Sequence, residues 1–295
     1  MPELPDLAIL QEAFQTALVG RSLSDLSAPQ SLVVRGTTGE ARAMVGRTLD
    51  AVERRGKFLT FVLGDDRITI NPMLTGRLGL APPGTKPFAQ TAVVMTFGPR
   101  GPNATQPRGR PKRALWTRHA AWLPPDEGPV ELRYRDATRM GKVYLLPAGL
   151  ERAVAGWDTQ GPDADDPRLD TATWQKRIAR HRGELKSVLK DQGFVAGIGN
   201  GYSDEILWAA GLGPFRKRTA LATEETEGLF TATREVLSWA VRELRQRVPP
   251  RFEVEVRDFL RVHRKGGTPC PRCGTMLSEI SPGGFVTTWC RTCQP

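Results

Sequence analysis

The sequence predicts a multidomain α+β protein in which a β-rich N-terminal half precedes a helical region and a small metal-binding module. Three observations support this order: short strand-like runs up to about residue 150, helical patterns between Asp170 and Arg247, and four cysteines confined to positions 270–293. A chain of 295 residues is long enough for more than one hydrophobic core. We therefore place domains at residues 2–150, 151–258 and 259–295.

The N-terminal half is predicted to begin with a helix and to continue with strands. Apolar residues at Leu7, Leu10, Phe14 and Leu18 have helical spacing, which predicts a helix over residues 6–18. Short runs rich in β-branched and aromatic residues predict strands at 58–63, 67–70 and 92–97. Residues 99–112 are rich in Gly, Pro and Arg and predict an exposed basic loop.

The central region has the character of a helical domain. Its apolar spacing predicts helices at 171–180, 185–192, 203–210 and 223–247. Glycines separate these segments, at Gly193, in the turn 197–201 and at 211–214. Residues 156–167 are rich in Asp, Gly and Pro, which predicts a linker between domains.

The charge balance restricts the partner and the compartment. Forty-two Lys and Arg against thirty-two Asp and Glu give a net charge of +10, which favours nucleic acid or an anionic membrane surface as the partner. No apolar run approaches the ~20 residues that a bilayer span needs. The N-terminus also lacks the basic and apolar regions of a secretion signal. We therefore expect a cytoplasmic protein.

The cysteine spacing predicts a structural zinc site. Cys270 and Cys273 form one C-x-x-C pair, and Cys290 and Cys293 form a second after sixteen intervening residues. Two such pairs suit four thiolates around one Zn²⁺, with a β-hairpin turning near residues 283–284. Two disulfides or a redox pair are the alternatives, but nothing else in the sequence indicates an oxidising compartment. Because all four ligands are cysteines, the metal would have no open coordination position for catalysis.

Basic residues surround this cysteine module. A basic zinc ribbon can clamp nucleic acid, and a solvated charged surface is the alternative. The residues concerned are Arg261, Arg264, Lys265, Arg272 and Arg291.

The glycine turn 197–201 predicts a phosphate seat between two helices. Glycines permit positive φ, and the backbone N–H groups that begin the next helix can bind an anion. Asn200 can donate its side-chain amide to the same phosphate, and Lys186 and Lys190 supply positive charge nearby. Taken alone, the pattern fits a plain helix connection equally well.

The amino terminus offers unusual chemistry once Met1 is removed. A small second residue generally permits that removal, and Pro2 would then carry a free secondary amine. An α-amino group has a pKa of about 7.7–8.0, so part of it is nucleophilic at neutral pH. A secondary amine that condenses with an aldehyde carbon forms a permanently cationic iminium, and the adjacent Glu3 could act as a general acid. The tripeptide by itself is ordinary.

Several motifs occur together in a defined order. They are Pro2-Glu-Leu-Pro-Asp6, Arg54-Arg-Gly-Lys-Phe58, Leu74-Thr-Gly76, Asp136-Ala-Thr-Arg-Met-Gly141, Gly197-Ile-Gly-Asn-Gly-Tyr202 with Asp204-Glu205, and the four-cysteine ribbon. Over nearly its whole length the chain resembles the formamidopyrimidine-DNA glycosylase / endonuclease VIII family of base-excision repair enzymes. The resemblance implies an N-terminal β-sandwich, a helical domain with a helix–two-turn–helix, and a C-terminal zinc β-hairpin finger.

The resemblance also implies a reaction. Such enzymes are bifunctional glycosylases and AP lyases that flip a damaged base out of the duplex and cleave the strand by β- and then δ-elimination. Pro2 would be the nucleophile that attacks C1′, and Glu3 would be the acid that assists opening of the sugar ring. Lys57 would contact the phosphate beside the lesion.

Further residues are assigned to DNA binding by the same resemblance. Lys186 and Asn200 match phosphate-binding positions, and Arg139 belongs to the same basic surface. Leu74 and Met140 match the side chains that fill the gap left by a flipped base, although core packing is the ordinary role of such residues. The implied partner is damaged double-stranded DNA, bound by a monomer associated with the nucleoid.

The sequence departs from the family pattern at three positions. Thr138 stands where enzymes for oxidised guanine carry an arginine that reads the opposite base. Phe285, five residues before the third cysteine, replaces an arginine that grips the phosphate; an aromatic ring can stack or wedge but cannot neutralise charge. Asp6 replaces the usual Glu, and apolar residues follow it. The choice of lesion is therefore not transferred from known members.

Two other hypotheses remain open from the sequence. One is a non-catalytic or altered-specificity protein that binds damaged DNA on the same scaffold. The other is a zinc-ribbon factor that binds RNA, which explains the charge and the cysteines but not the N-terminal motif together with the glycine turn.

Overall fold

In a computed structural model, which describes residues 1–101 and 122–295, the chain forms two compact units. The first contains residues 1–2, 6–155 and 244–256, and the second contains residues 3–5, 156–243 and 257–295. The helical region and the cysteine module thus fall in one unit. The division at 2–150, 151–258 and 259–295 stays a prediction.

The first unit is a β-sandwich with two helices. The elements are α1 (Leu4–Leu18), β1 (Arg21–Ser27), β2 (Val34–Arg35), α2 (Thr38–Met44), β3 (Ala51–Arg55), β4 (Phe58–Leu63), β5 (Asp66–Asn71), β6 (Arg77–Ala81), β7 (Thr91–Arg100), β8 (Val130–Arg135) and β9 (Lys142–Leu146). One sheet has four strands in the order β1-β7-β8-β6, and the other has five in the order β2-β9-β5-β4-β3. Only the β2–β9 pair is parallel among the described strand pairs of this unit.

Helix α1 packs against the five-stranded sheet. The Phe14 ring of α1 lies 6.3 Å from the Phe61 ring of β4, measured between centroids. Every residue of β4 is buried, and its sequence is a continuous apolar run broken only by Thr60. The predicted strands 58–63, 67–70 and 92–97 are confirmed. Of the predicted basic loop, Pro99 and Arg100 end β7, and residues 102–112 lie outside the described residues.

The second unit contains the predicted helices and a small hairpin, except that the last turn of its longest helix, residues 244–247, belongs to the first unit. They are α3 (Thr171–Ile178), α4 (Leu185–Lys190), α5 (Asn200–Ala210), α6 (Thr223–Arg247), β10 (Ser278–Ile280) and β11 (Thr287–Trp289). Asp170 caps α3 by accepting a hydrogen bond from the Thr173 N–H at 2.7 Å. The Trp174 and Phe194 rings pack edge to face, 4.7 Å apart, in the core of this unit.

Two features differ from or add to the sequence reading. Helix α5 begins at Asn200, three residues before the predicted start at Ser203, because Gly199 already acts as its N-cap residue. Among the described helices, none has both the length and the apolar character needed to cross a bilayer.

Candidate functional site

Pro2 lies buried at the wall of a small pocket in the first unit. The same pocket is lined by Asp6, Arg77 and Glu255 and by apolar side chains that include Phe252. With Met1 present, the terminal ammonium is that of Met1, and it lies 3.3 Å from the Glu255 carboxylate. The Pro2 nitrogen is then an amide, so removal of Met1 is required before Pro2 has an amine.

Glu3, in the second unit, caps helix α5 with its side chain. Its buried carboxylate accepts hydrogen bonds from the backbone N–H groups of Gly199 at 2.6 Å, Gly201 at 2.9 Å and Tyr202 at 3.3 Å. These are donors that the start of a helix leaves without a backbone partner. The prediction that the glycine turn offers these N–H groups to a phosphate is wrong, because the Glu3 carboxylate already occupies that place.

The glycines of this turn are explained by close packing against the N-terminal residues. A Cβ on Gly199 would lie 2.6 Å from the Glu3 carboxyl carbon, and one on Gly201 would lie 3.2 Å from a Glu3 oxygen. Gly197 has a φ of +101°, and a Cβ added to it would lie 2.7 Å from the Leu4 Cβ. The turn therefore requires glycine in order to receive Glu3 and Leu4.

Lys186 and Asn200 meet at the finger hairpin. The Lys186 ammonium donates to Asp204 Oδ1 at 2.7 Å, to the Val286 carbonyl at 2.7 Å and to the Thr287 hydroxyl at 2.9 Å. The Asn200 amide donates to the same Val286 carbonyl at 2.8 Å. Lys186 thus uses all three N–H bonds within the protein. Its contact with phosphate stays a prediction, and it requires the exchange of one of these bonds.

Burial shifts the pKa of Lys186. The side chain is 7% exposed, and desolvation lowers the pKa of its ammonium, while the attraction of Asp204 counteracts part of that shift. Asp204 also lies 2.7 Å from His263 Nδ1 through its second oxygen. The cluster therefore joins α4, α5 and the segment that leads into the finger.

Two carboxylates of this cluster had no predicted role. Asp204 binds Lys186 and His263. The buried Glu205 accepts hydrogen bonds from the backbone N–H groups of Arg261, Val262 and His263 at 2.8–3.0 Å. Burial raises the pKa of Glu205, against the opposing effect of these three bonds. The available signal was a pair of adjacent acids directly before the apolar run 206–210, since carboxylates buried with such a run require partners.

The proposed wedge residues lie on two loops of the first unit that share one buried carboxylate. Asp136 accepts hydrogen bonds from the Thr75 hydroxyl, from the Thr138 N–H at 3.2 Å and from the Gly141 N–H at 2.7 Å. It thereby joins the β5–β6 connection to the β8–β9 connection. Leu74 on the first loop is 37% exposed, and Met140 on the second is 43% exposed. Both are thus available at the surface.

Arg139 and Lys57 lie in the same unit as these loops. Arg139 is exposed, directly before Met140, and has a φ of +55°. Lys57 is half-buried in the two-residue connection between β3 and β4, after Gly56 with a φ of +55°. The positions of both in the DNA-binding surface stay predictions.

Replacing Asp136 with Asn should destabilise the protein at neutral pH. Burial alone would raise the Asp136 pKa, but the bonds from Thr75, Gly141 and Thr138 outweigh it, so the pKa is lowered. The carboxylate therefore stabilises the fold above pH ~4, and this contribution is lost as the pH falls through the lowered pKa. We expect D136N to lose about 1–3 kcal/mol of unfolding free energy at pH 7 and to show a weaker acid dependence.

Urea unfolding at several pH values tests this expectation. The exposed Asp25 provides a matched control, and D25N should behave as wild type. A D136N protein with wild-type stability from pH 3 to pH 7 would contradict the role given to these hydrogen bonds.

The four cysteines fit one tetrahedral metal ion. Their Sγ atoms all lie within 4.8 Å of one another, with 4.0 Å between Cys270 and Cys293 and 3.5 Å between Cys273 and Cys290. Four Zn–S bonds of about 2.3 Å place tetrahedral sulfurs ~3.8 Å apart. The Trp208 indole N–H also donates to Cys270 Sγ at 3.4 Å, and hydrogen bonds of this kind orient the ligands of metal sites.

The finger tip carries Phe285 beside a lysine. The ring is 52% exposed, and the Lys190 ammonium lies 5.0 Å from its centroid, which is cation–π geometry. Within the described part of the chain no carboxylate forms an ion pair with Lys190. A positive charge is therefore present at this tip although Phe285 itself has none.

Three features together define a zinc-finger DNA glycosylase scaffold. They are a sandwich in which Pro2 lines a pocket, a helix–two-turn–helix region whose second helix is capped by Glu3, and a four-cysteine finger. Three family models match the chain in this order: the formamidopyrimidine-DNA glycosylase N-terminal domain at residues 1–143, its H2TH domain at 160–248, and the zinc finger found in FPG and IleRS at 267–295. The chain belongs to the formamidopyrimidine-DNA glycosylase family.

Individual relatives support this membership over the full length. The formamidopyrimidine-DNA glycosylase of Thermomicrobium roseum is 32% identical over 312 aligned positions, covering 100% of this chain and 99% of the relative. That of Symbiobacterium thermophilum is 29% identical and covers 100% and 90%. The crystal structure of MutM (Fpg) from Thermus thermophilus has 26% identity, a TM-score of 0.77, and 99% and 98% coverage.

A structure of Lactococcus lactis Fpg with DNA containing an abasic site has the same fold. Its TM-score is 0.79 at 23% identity, and 99% of each chain is covered. The predicted fold class, the family resemblance and the single structural zinc are thus confirmed.

Proposed function

We propose that this protein is a bifunctional DNA glycosylase and AP lyase that excises damaged, oxidised bases from duplex DNA. The observation that carries the proposal is the position of Pro2, which lies in a pocket at the N-terminus of a chain that belongs to this family. Relatives of the same length are named formamidopyrimidine-DNA glycosylase, and one neighbouring fold was solved with abasic-site DNA. A single chain carries every proposed group, so we propose a monomer.

The proposed reaction uses the Pro2 amine after Met1 has been removed. The lone pair of the neutral Pro2 nitrogen attacks C1′ while the glycosidic bond breaks and its electron pair leaves with the base, which takes up a proton. The added nitrogen then loses its N–H proton, and opening of the sugar ring, with Glu3 protonating O4′, gives a cationic iminium between Pro2 and C1′. Loss of a C2′ proton expels the 3′ phosphate, loss of a C4′ proton expels the 5′ phosphate, and water releases the enzyme by hydrolysing the iminium.

Each unit contains residues that we propose as DNA-binding. Leu74 and Met140 would fill the gap in the base stack, and Arg139 and Lys57 would bind phosphates. Asn200 and Lys186 would support the phosphate contact from the helix–two-turn–helix. Cys270, Cys273, Cys290 and Cys293 would hold a zinc ion that stabilises the finger, and with four thiolate ligands it would have no open position for the reaction.

Glu3 is proposed as the acid that assists sugar ring opening. Replacing it with Gln keeps its shape but removes its ability to give up a proton, and it turns an amide N–H toward the backbone donors of α5. We expect E3Q to lose about 1–3 kcal/mol of unfolding free energy and to lower base excision by roughly a hundredfold or more. Binding to abasic-site DNA should remain.

The experiment measures binding, base release and strand cleavage separately, for wild type and E3Q, on duplexes that each carry one lesion. Equal loss of binding and excision in E3Q would indicate misfolding and contradict the assigned role. Wild-type protein that binds damaged duplexes but releases no base and cleaves no abasic site would instead favour the non-catalytic DNA-binding alternative.

A further inference from the structure

An ion pair forms the polar wall of the Pro2 pocket. Arg77 Nη2 lies 2.5 Å from Glu255 Oε2, and the two side chains are 15% and 33% exposed. The other oxygen, Glu255 Oε1, faces the Met1 ammonium at 3.3 Å. The Glu255 carboxylate thus pairs with the Arg77 guanidinium and also accepts a hydrogen bond from the Met1 ammonium, which lies beside Pro2.

The other residues that line the pocket have the chemistry that a flat heterocycle requires. Leu10, Phe252 and Val254 supply apolar surface, whereas Asp6, Arg77 and Glu255 supply polar groups. A planar heterocycle requires this combination, with apolar contact over its faces and hydrogen bonds at its edge.

We propose that the Arg77–Glu255 pair reads the edge of a base displaced into this pocket, with Arg77 donating to a carbonyl oxygen and Glu255 accepting from the neighbouring ring N–H. This inference rests on the proposed function. The matching chemistry is a lactam or imide edge, in which C=O stands next to N–H. Adenine and cytosine lack that edge in their ordinary forms, so they would leave the Arg77 donor and the Glu255 acceptor without partners on the base.

Arg77 is well placed for this role because its position is fixed. Its Nη1 donates to the Gly76 carbonyl at 2.8 Å, on the same loop that carries Leu74. Recognition of the displaced base and filling of the gap it leaves are thereby connected through one short loop. A guanidinium has five N–H donors, so it can keep its protein partners and still bind a base.

Removal of Met1 prepares the pocket. In the unprocessed chain the Met1 ammonium uses Glu255 as an acceptor, and the pocket has about 20 Å³ of free volume, which suffices for a water molecule but not for a base. Processing takes away this partner of Glu255 and adds space beside Pro2. Base entry also requires displacement of the segment that carries Phe252 and Val254.

The test compares base release with abasic-site cleavage in a variant of Glu255. E255Q and wild type are assayed under single-turnover conditions on duplexes with one 8-oxoguanine or one 5,6-dihydrouracil, and on the same duplex with a preformed abasic site, which has no base to read. We expect E255Q to release either base about tenfold to a hundredfold more slowly and to cleave the abasic site within twofold of wild type. Glu253, two residues away, provides the matched control, and E253Q should behave as wild type.

Each other outcome overturns the inference. If E255Q slows base release and abasic-site cleavage equally, Glu255 acts on the Pro2 amine or on the fold instead of the base. If E255Q releases both bases at the wild-type rate, Glu255 does not recognise the base. If the wild-type protein cleaves abasic DNA but releases neither base, the pocket does not recognise these bases. Wild-type protein that fails even at the abasic site would overturn the proposed function, and this inference with it.

Discussion

Removal of the finger metal should abolish binding to duplex DNA with an abasic site while the first unit stays folded. Strands β10 and β11 have only three residues each, and a hairpin of this size does not hold its shape in water without further support. Structural zinc typically contributes about 10–16 kcal/mol to the folding of such modules. Without the metal, the Val286 carbonyl and the Thr287 hydroxyl lose their fixed position beside Lys186 and Asn200.

Fluorescence anisotropy tests this expectation by measuring DNA binding. The protein is first treated with a chelator, and its residual metal content is quantified. Thermal unfolding should still show the cooperative transition of the sandwich, and added Zn²⁺ should restore binding. Substituting Cys290 with Ser should reproduce the loss, whereas S281A at the hairpin tip should not. Metal-free protein that binds abasic-site DNA as tightly as the zinc form would contradict this account.

Blocking the amino terminus should nearly abolish strand cleavage at abasic sites. A two-residue extension that is retained ahead of Met1 keeps the Pro2 nitrogen as an amide, whose lone pair is delocalised and cannot attack C1′. We expect strand cleavage at abasic sites to fall by at least about a thousandfold, because no other group replaces a lost nucleophile efficiently. Binding to the same DNA should fall much less.

The control carries the same extension followed by a protease site that cleaves directly before Pro2. Cleavage should restore both the free amine and the activity. An extended protein that cleaves abasic DNA at the wild-type rate would show that the nucleophile is elsewhere in the chain.

Local patterns in the sequence were sufficient for most of the secondary structure. Helix α6 and strand β4 have the predicted limits, because each combines a clear apolar period with boundary residues of known preference. The four cysteines also required only their spacing. In each of these cases the signal lies within a few neighbouring residues.

The role of the glycine turn was not accessible from local patterns. The turn and its helix were predicted, but its N–H groups bind Glu3, which is 196 positions from Gly199 in the sequence. A short motif predicts that donors are available without showing which acceptor the tertiary fold supplies. Sequence reading therefore identified Glu3 and the turn as separate features and missed their contact.

The sequence also did not show which of two neighbouring lysines is available to bind a phosphate. Lys186 and Lys190 lie one helical turn apart, yet Lys186 is buried against Asp204 whereas Lys190 lies over the exposed Phe285 ring. The departure at Phe285 suggested a finger tip without a cation. The structure places the Lys190 ammonium there, contributed by α4 rather than by the finger itself.

The most direct test of the central claim is to map the residue that becomes joined to DNA. Protein processed to Pro2 is incubated with an abasic-site duplex and borohydride, and the reduced adduct is digested and sequenced by mass spectrometry. We expect the attachment at the Pro2 nitrogen, in peptides that lack Met1. An adduct at a lysine that persists in P2G, or no adduct from fully processed protein that binds the DNA, would contradict the account.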